Sequence, residues 1–200
     1  MVTEILSRLT RDLGVNREKP RVGLSACLAG EAVRYDGTDK RHALIMDELS
    51  ACLSFQTLCP EVAIGLGVPR PTIQVIRRQQ GLRIEGVNNP MLDVTEALSN
   101  LGQQTLADLD GFIFKARSPS CGVGNTPIMD AHGQVVAYGD GGFSASFQQR
   151  WPHVPVISEA SFDRLDQLDA FLTAVYAHQQ QRIRDSLLKG GNAPQRPVDS

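Results

Sequence analysis

Gly111-Phe-Ile-Phe-Lys-Ala-Arg117, running into Ser118-Pro-Ser-Cys-Gly-Val-Gly124, is the stretch on which the fold turns. Aromatic and β-branched residues without a polar interruption suit a strand buried on both faces, and the proline and glycines that follow must break it. A cysteine therefore follows the strand. The same pattern recurs upstream in Arg21-Val-Gly-Leu-Ser-Ala-Cys27, a short buried strand ending at Cys27, and in Gln56-Thr-Leu-Cys-Pro60, broken by proline just after Cys59. Working outward, residues 3–14 place Ile5, Leu6, Leu9 and Leu13 at helical spacing between Thr3 as a cap and Gly14 as a stop. Leu28 to Lys40 is turn chemistry, and Ala43 to Leu53 returns to helical periodicity. Ile73-Gln-Val-Ile76 and Leu82-Arg-Ile-Glu85 alternate like the arms of a hairpin, and Asp93 to Leu109 reads as a helix. A second hairpin joins Pro127-Ile-Met129 to Gln134-Val-Val-Ala-Tyr138. Val154-Pro-Val-Ile157 is a last strand and Phe162 to Leu188 a long final helix.

Alternation of strands and helices predicts an α/β single domain with a mostly parallel, Rossmann-like sheet flanked by helices, plus small hairpins. Ligands gather beyond the carboxyl ends of such strands, where the three cysteines would meet. Residues 1–19 form a helical extension, 20–188 the domain and 189–200 a disordered tail rich in glycine and proline.

The 200 residues carry 20 Lys+Arg against 22 Asp+Glu, a formal charge of −2, 42% hydrophobic residues and four cysteines. A chain this long can bury a core without staples, and four cysteines are too sparse for a disulfide framework, so a reducing cytoplasm is expected. No apolar run is long enough to span a membrane, and the first residues lack the apolar core of a signal peptide. Near-neutral charge argues against a general electrostatic nucleic-acid binder. The four histidines are dispersed, and neither Gly65-Leu-Gly67 nor Gly122-Val-Gly124 completes a nucleotide-binding fingerprint.

Cys27, Cys59 and Cys121 each adjoin a strand breaker, whereas Cys52 sits in a helical context where a small thiol is ordinary core filling. Taken from the residues alone, several readings of the three stay open. Zinc would want four ligands and paired C-x-x-C spacing, and disulfide redox chemistry would want two cysteines close in sequence. An iron–sulfur cluster held by three thiolates would leave one iron free. Buried structural thiols are the plain alternative.

The motifs Ser25-Ala-Cys-Leu-Ala-Gly30 with Val33-Arg-Tyr-Asp-Gly37, Cys59-Pro-Glu-Val-Ala-Ile-Gly-Leu66 with Pro69-Arg70, and Lys115-Ala-Arg-Ser-Pro-Ser-Cys-Gly122 resemble the TudS-type 2-thiouracil desulfidases, long catalogued only as a domain of unknown function. The resemblance spans roughly residues 20–160. It implies an oxygen-sensitive [4Fe-4S] cluster held by Cys27, Cys59 and Cys121, with one iron not ligated by protein that takes up the sulfur of a thiolated pyrimidine. The stretch from Cys59 to Pro71 is similar to a branch of the family fused to a second domain, whose implied substrates extend to thionucleotides or thiouridine in RNA. A small-molecule thiopyrimidine or thionucleotide is the expected partner, RNA the alternative, and a non-catalytic metal-binding module the third reading.

A soft thiocarbonyl sulfur prefers iron to water, so no net redox change is needed, but water must attack the ring carbon and a proton must be relayed. Glu61 is the expected general base or acid, and Ser120, beside Cys121, a second catalytic group. Ser118, Arg34, Tyr35, Asp36 and Arg70 are candidates for the substrate: Tyr35 to stack on the ring and Arg34 or Asp36 to bond its polar edge, with a plain turn cap as the alternative, and Arg70 to meet an anionic substrate group or to pair with a nearby carboxylate. Lys115 and Arg117 add positive charge near the third cysteine.

Overall fold

The computed structural model describes residues 2–13, 18–105 and 108–190. Gly14 and the tail beyond residue 190 lie outside the described residues, as does the Leu13 side chain. Strand β5 (Gly111–Phe114) is buried along its whole length, as its sequence predicts. It pairs in parallel with β1 (Arg21–Ser25) on one side and β8 (Val156–Ser158) on the other, and β2 (Ser54–Leu58) completes a four-stranded all-parallel sheet in the order β2-β1-β5-β8.

Each face of that sheet carries its own core. Val22, Leu24, Ile113 and Ile157 face α1 (Val2–Leu13), α5 (Leu165–Gly190) and the segment around Ile45 and Leu49. Phe112 and Phe114 point the other way, since successive side chains alternate. Their rings stack with centroids 4.0 Å apart and meet Phe143 and Phe147 of α4 (Gly142–Arg150) edge-on. Gly23 makes that stack possible: a Cβ there would overlap the Phe112 ring.

The two hairpins form where the alternation places them, as β3 (Ile73–Arg78) with β4 (Gly81–Gly86) and β6 (Thr126–Met129) with β7 (Val135–Gly139). They are not separate appendages, because β3 and β6 pair in parallel and join them into a second sheet, β4-β3-β6-β7.

Several boundaries differ from the sequence reading. Leu44–Ala51 is a π turn followed by a 3-10 turn instead of a regular helix. Helix α3 (Thr95–Gln104) stops short of Leu109, and its first amide, Thr95 N, donates to Asp93 Oδ1. Helix α4 was not anticipated. The N-terminal helix α1 lies on α5, with Leu9 fully buried and Arg8 paired to Asp169 and donating to Thr173. Among the described helices, none is long and apolar enough to cross a membrane.

Candidate functional site

Strand order reverses between β1 and β5, and a cavity of about 520 Å³ opens beyond the carboxyl ends of β1, β2 and β5. That is where a parallel sheet leaves room for a ligand. Cys27, Cys59 and Cys121 all line it. Each is presented by a different device. Cys27 sits inside a 3-10 turn, Ala26–Ala29, that Gly30 closes in the left-handed conformation. Cys59 follows β2 directly and caps α2 (Pro60–Ala63), whose first residue is a proline that has no amide to leave unpaired. Cys121 lies beyond β5 in a turn nucleated by Ser118, whose Oγ accepts from the amides of Ser120 (3.2 Å) and Cys121 (3.0 Å). Gly141 packs against this turn so closely that a Cβ would lie 2.5 Å from the Ser120 carbonyl carbon. Cys52 shares a core cluster with Cys27 but does not line the cavity, and its Sγ donates to the Leu49 carbonyl.

Burial pushes the Cys27 thiol up to about 11, opposed by Lys115 and Arg34 and reinforced by Cys59. Burial raises Cys121 further, opposed by a hydrogen bond with Ser25 and reinforced by Glu61, Cys27 and Cys59. Cys27 and Cys121 thus sit in a setting that penalises isolated thiolates, with Cys59 an electrostatic neighbour of both. Bound metal relieves that penalty. Among the described residues, no three His, Cys, Asp or Glu side chains crowd around a point that one metal ion could occupy. Three thiols on one cavity wall, with the Lys115 and Arg34 cations near Cys27, are a donor set that suits a thiolate-bound metal centre.

Glu61 projects from the first turn of α2 onto the same wall and is held at both oxygens. Ser120 Oγ donates to Oε1 at 2.9 Å and Arg70 Nε to Oε2 at 2.7 Å. Arg70 also donates through Nη1 to the Gly67 carbonyl (2.9 Å) and through Nη2 to Cys59 Sγ (3.8 Å).

The remaining expected residues divide. Arg34, Tyr35 and Ser118 line the cavity together with Lys115 and Arg117, while Asp36 and Ser120 do not. Asp36 closes its own turn by accepting from the Thr38 amide and hydroxyl, and Ser120 is fully buried behind Glu61. Tyr35 is half-exposed with the Arg34 guanidinium 5.6 Å from its ring centre. Lys115 pairs with Glu159, which also accepts the Ala116 amide. Arg117 holds a left-handed backbone, φ 58°, and donates its amide to Asn125 Oδ1. Sequence reasoning did not pick out Ser25, Asn125 or Glu159. Only Ser25 carried a signal, two residues before a cysteine in the first motif.

A search of the curated proteins finds no match. A solved structure described as a [4Fe-4S]-dependent thiouracil desulfidase, TudS, superposes with a TM-score of 0.57 at 30% identity, covering 75% of this chain and 97% of that one. The family model for 2-thiouracil desulfurase matches residues 22–159, a span holding both sheets except Arg21 at the start of β1, and every cavity residue named above. On these grounds the chain belongs to the 2-thiouracil desulfurase family.

Proposed function

We propose that this chain is an iron–sulfur enzyme that replaces the sulfur of a thiolated pyrimidine with oxygen, releasing hydrogen sulfide and the oxo-pyrimidine. The observation that carries the reading is the convergence of three cysteines from three strand ends on one cavity, with a doubly held carboxylate on its wall. Cys27, Cys59 and Cys121 would hold a [4Fe-4S] cluster. When bound, such a cluster supplies one iron without a protein thiolate, a soft Lewis acid that selects thio- over oxo-pyrimidine and draws electrons from the C–S bond.

The chain's own residues supply the rest. Glu61 has two lone-pair sites used by Ser120 and Arg70, and its carboxylate keeps others for a water in the cavity. It takes a proton from that water as the oxygen adds to the ring carbon and passes it to the sulfur; the C–S bond then breaks as the added hydroxyl gives up its proton and becomes the carbonyl, and that second proton also ends on the sulfide. Water and the thio-substrate thus give the oxo-product and hydrogen sulfide, with no electron acceptor required. Tyr35 at the rim offers a face for the ring.

The cavity's size falls in the range for a small ligand and is far from that of a nucleic-acid groove. Five cationic side chains line it, and with Arg70 and Lys115 already paired to Glu61 and Glu159, Arg34, Lys40 and Arg117 leave an excess of positive charge. That balance favours an anionic substrate, a thiopyrimidine base in its ionised form or its nucleotide, over RNA. A reducing cytoplasm is the compartment this chemistry calls for.

The test is iron and acid-labile sulfide per chain after anaerobic reconstitution, in the parent and in Cys121→Ala, followed by hydrosulfide release from thiouracils and thionucleotides. About four iron and four sulfide in the parent, lost in the variant, is the expected result. Tightly bound zinc, or no sulfide, would refute it.

A further inference from the structure

Arg70 stands between two prolines, Pro69 and Pro71, where the sequence left open a contact to an anionic substrate group or a pair with a nearby carboxylate. Its surroundings show the pair and add a further task. The side chain is only 3% exposed, which leaves little surface for an incoming anion. Three of its nitrogens are already engaged, each with a different element of the wall. Nε holds Glu61 Oε2 at 2.7 Å, Nη2 points a donor at Cys59 Sγ at 3.8 Å, and Nη1 is tied to the Gly67 carbonyl at 2.9 Å. The Arg70 amide in turn donates to the Tyr35 carbonyl at 2.9 Å, which fixes the backbone from which the guanidinium extends.

A planar guanidinium presents its donors in a rigid fork, so the positions of its partners become mutually fixed. Here the fork spans a candidate base and a candidate cluster ligand. With Ser120 Oγ on Oε1, the Glu61 carboxylate is pinned at both oxygens and cannot rotate about its terminal torsion without losing a charge-assisted hydrogen bond. We infer that Arg70 is a positioning residue of the desulfuration site, which sets the plane of the Glu61 carboxylate relative to the Cys59 thiolate. This rests on the role assigned to Glu61 and Cys59 above.

Two consequences separate this role from its rivals. A group that acts through Glu61 loses its effect once Glu61 is gone, whereas a substrate-binding arginine acts on KM whether Glu61 is present or not. An N–H donor to a ligand sulfur also stabilises the more negative, reduced state of a cluster, so its removal lowers the reduction potential. That second readout needs no turnover.

The experiment is a double-mutant cycle on anaerobically reconstituted protein: parent, Arg70→Lys, Glu61→Gln and the double variant. Lysine keeps the charge and gives up the fork, and Arg70→Gln serves as a second variant should lysine fold poorly. A misplacement on the ångström scale costs about 100-fold in rate. Arg70→Lys is therefore expected to lower kcat by about 10- to 100-fold with KM within about threefold, to keep its iron and sulfide, and to shift the cluster potential negative. The double variant is expected to be no slower than Glu61→Gln alone.

A raised KM with unchanged kcat, or losses that multiply in the double variant, would overturn the positioning role and leave the desulfidase reading intact. Loss of iron from both Arg70 variants would make the residue structural and overturn it as well. Full turnover by Glu61→Gln would instead overturn the role of Glu61 itself. A potential identical to the parent's would remove the link to Cys59.

Discussion

Asp110 tests whether the end of the molecule opposite the cavity is held as the structure indicates. It lies just before β5 and is fully buried. Its Oδ1 accepts from Arg182 Nε at 2.8 Å, and its Oδ2 accepts from Arg182 Nη2 and from the Arg21 amide, both at 2.9 Å. One carboxylate thereby ties β1, β5 and the last turns of α5 together. Asp110→Asn keeps the shape but turns an acceptor into a donor facing Arg182. Breaking a buried pair on one side costs about 3–5 kcal/mol. Arg182 keeps 26% of its side chain in solvent, which places the expected loss near the lower end, about 3 kcal/mol.

Urea unfolding at pH 7 measures this loss. A second limb follows from titration. Burial alone would raise the Asp110 carboxyl, but the His178 ring 3.6 Å away and the hydrogen bonds from Arg182 and the Arg21 amide together hold it below its ordinary value of 3.8. A depressed carboxylate contributes stability that is present above the unfolded-state value and lost as pH falls through the folded one. The difference between parent and variant should therefore stay constant from neutral pH to about pH 4 and narrow only below it. A loss under about 1 kcal/mol at pH 7 would refute the reasoning, as would a difference that already shrinks between pH 7 and pH 5. Iron content and turnover at 25 °C should not change.

Three further outcomes are expected. Cys52→Ala should leave iron and sulfide per chain at the parent level, because Cys52 packs in the core against α5 and not on the cavity wall; cluster loss there would redraw the ligand set. Gly23→Ala should lower the melting temperature through a loss of about 1–3 kcal/mol, since its Cβ would overlap the Phe112 ring in a stack with little room to yield. Ser120→Ala, which removes the hydroxyl on Glu61 Oε1, should slow turnover by about tenfold, as befits a hydrogen bond to a charged group worth about 1.5–3 kcal/mol, with the cluster retained; an unchanged rate would mean that Arg70 alone orients the carboxylate.

The sequence made local elements plain and left long-range ones hidden. Phe112, Ile113 and Phe114 announce a doubly buried strand because nothing in them tolerates water, and both hairpins show themselves by alternation around Gln79-Gln80 and Asp130-Ala-His-Gly133. The parallel pairing of β3 with β6 is invisible in such patterns, since two hairpins far apart in the chain carry no local mark of their common sheet. Helix α4 was missed for a related reason: Phe143 and Phe147 are its buried large residues, set among glycine, serine and glutamine, and they become a helical face only when the Phe112–Phe114 stack is there to receive them. At the site, the meeting of the three cysteines was legible because each follows a strand end of one parallel sheet. The turn closed by Asp36 and the pairing of Arg70 with a carboxylate were open alternatives in the sequence, whereas the burial of Ser120 behind Glu61 was not visible there, because burial is set by neighbours distant in sequence.

The electrostatics of the cavity wall explain why Arg70 and Glu61 belong together. A carboxylate beside two buried thiols and the partly buried Cys59 is unfavourable wherever those thiols ionise, and Glu61 already acts to raise Cys121. Folding could have avoided the conflict with an amide or an apolar side chain at this position. Instead the chain retains the charge and surrounds it with a buried guanidinium that also faces Cys59. Buried ion pairs rarely add net stability over apolar packing, so stability alone does not account for the arrangement. A carboxylate held in a fixed orientation next to the thiols does account for it if a proton must be taken up at that point, and this is the step that water addition to a thiolated ring requires.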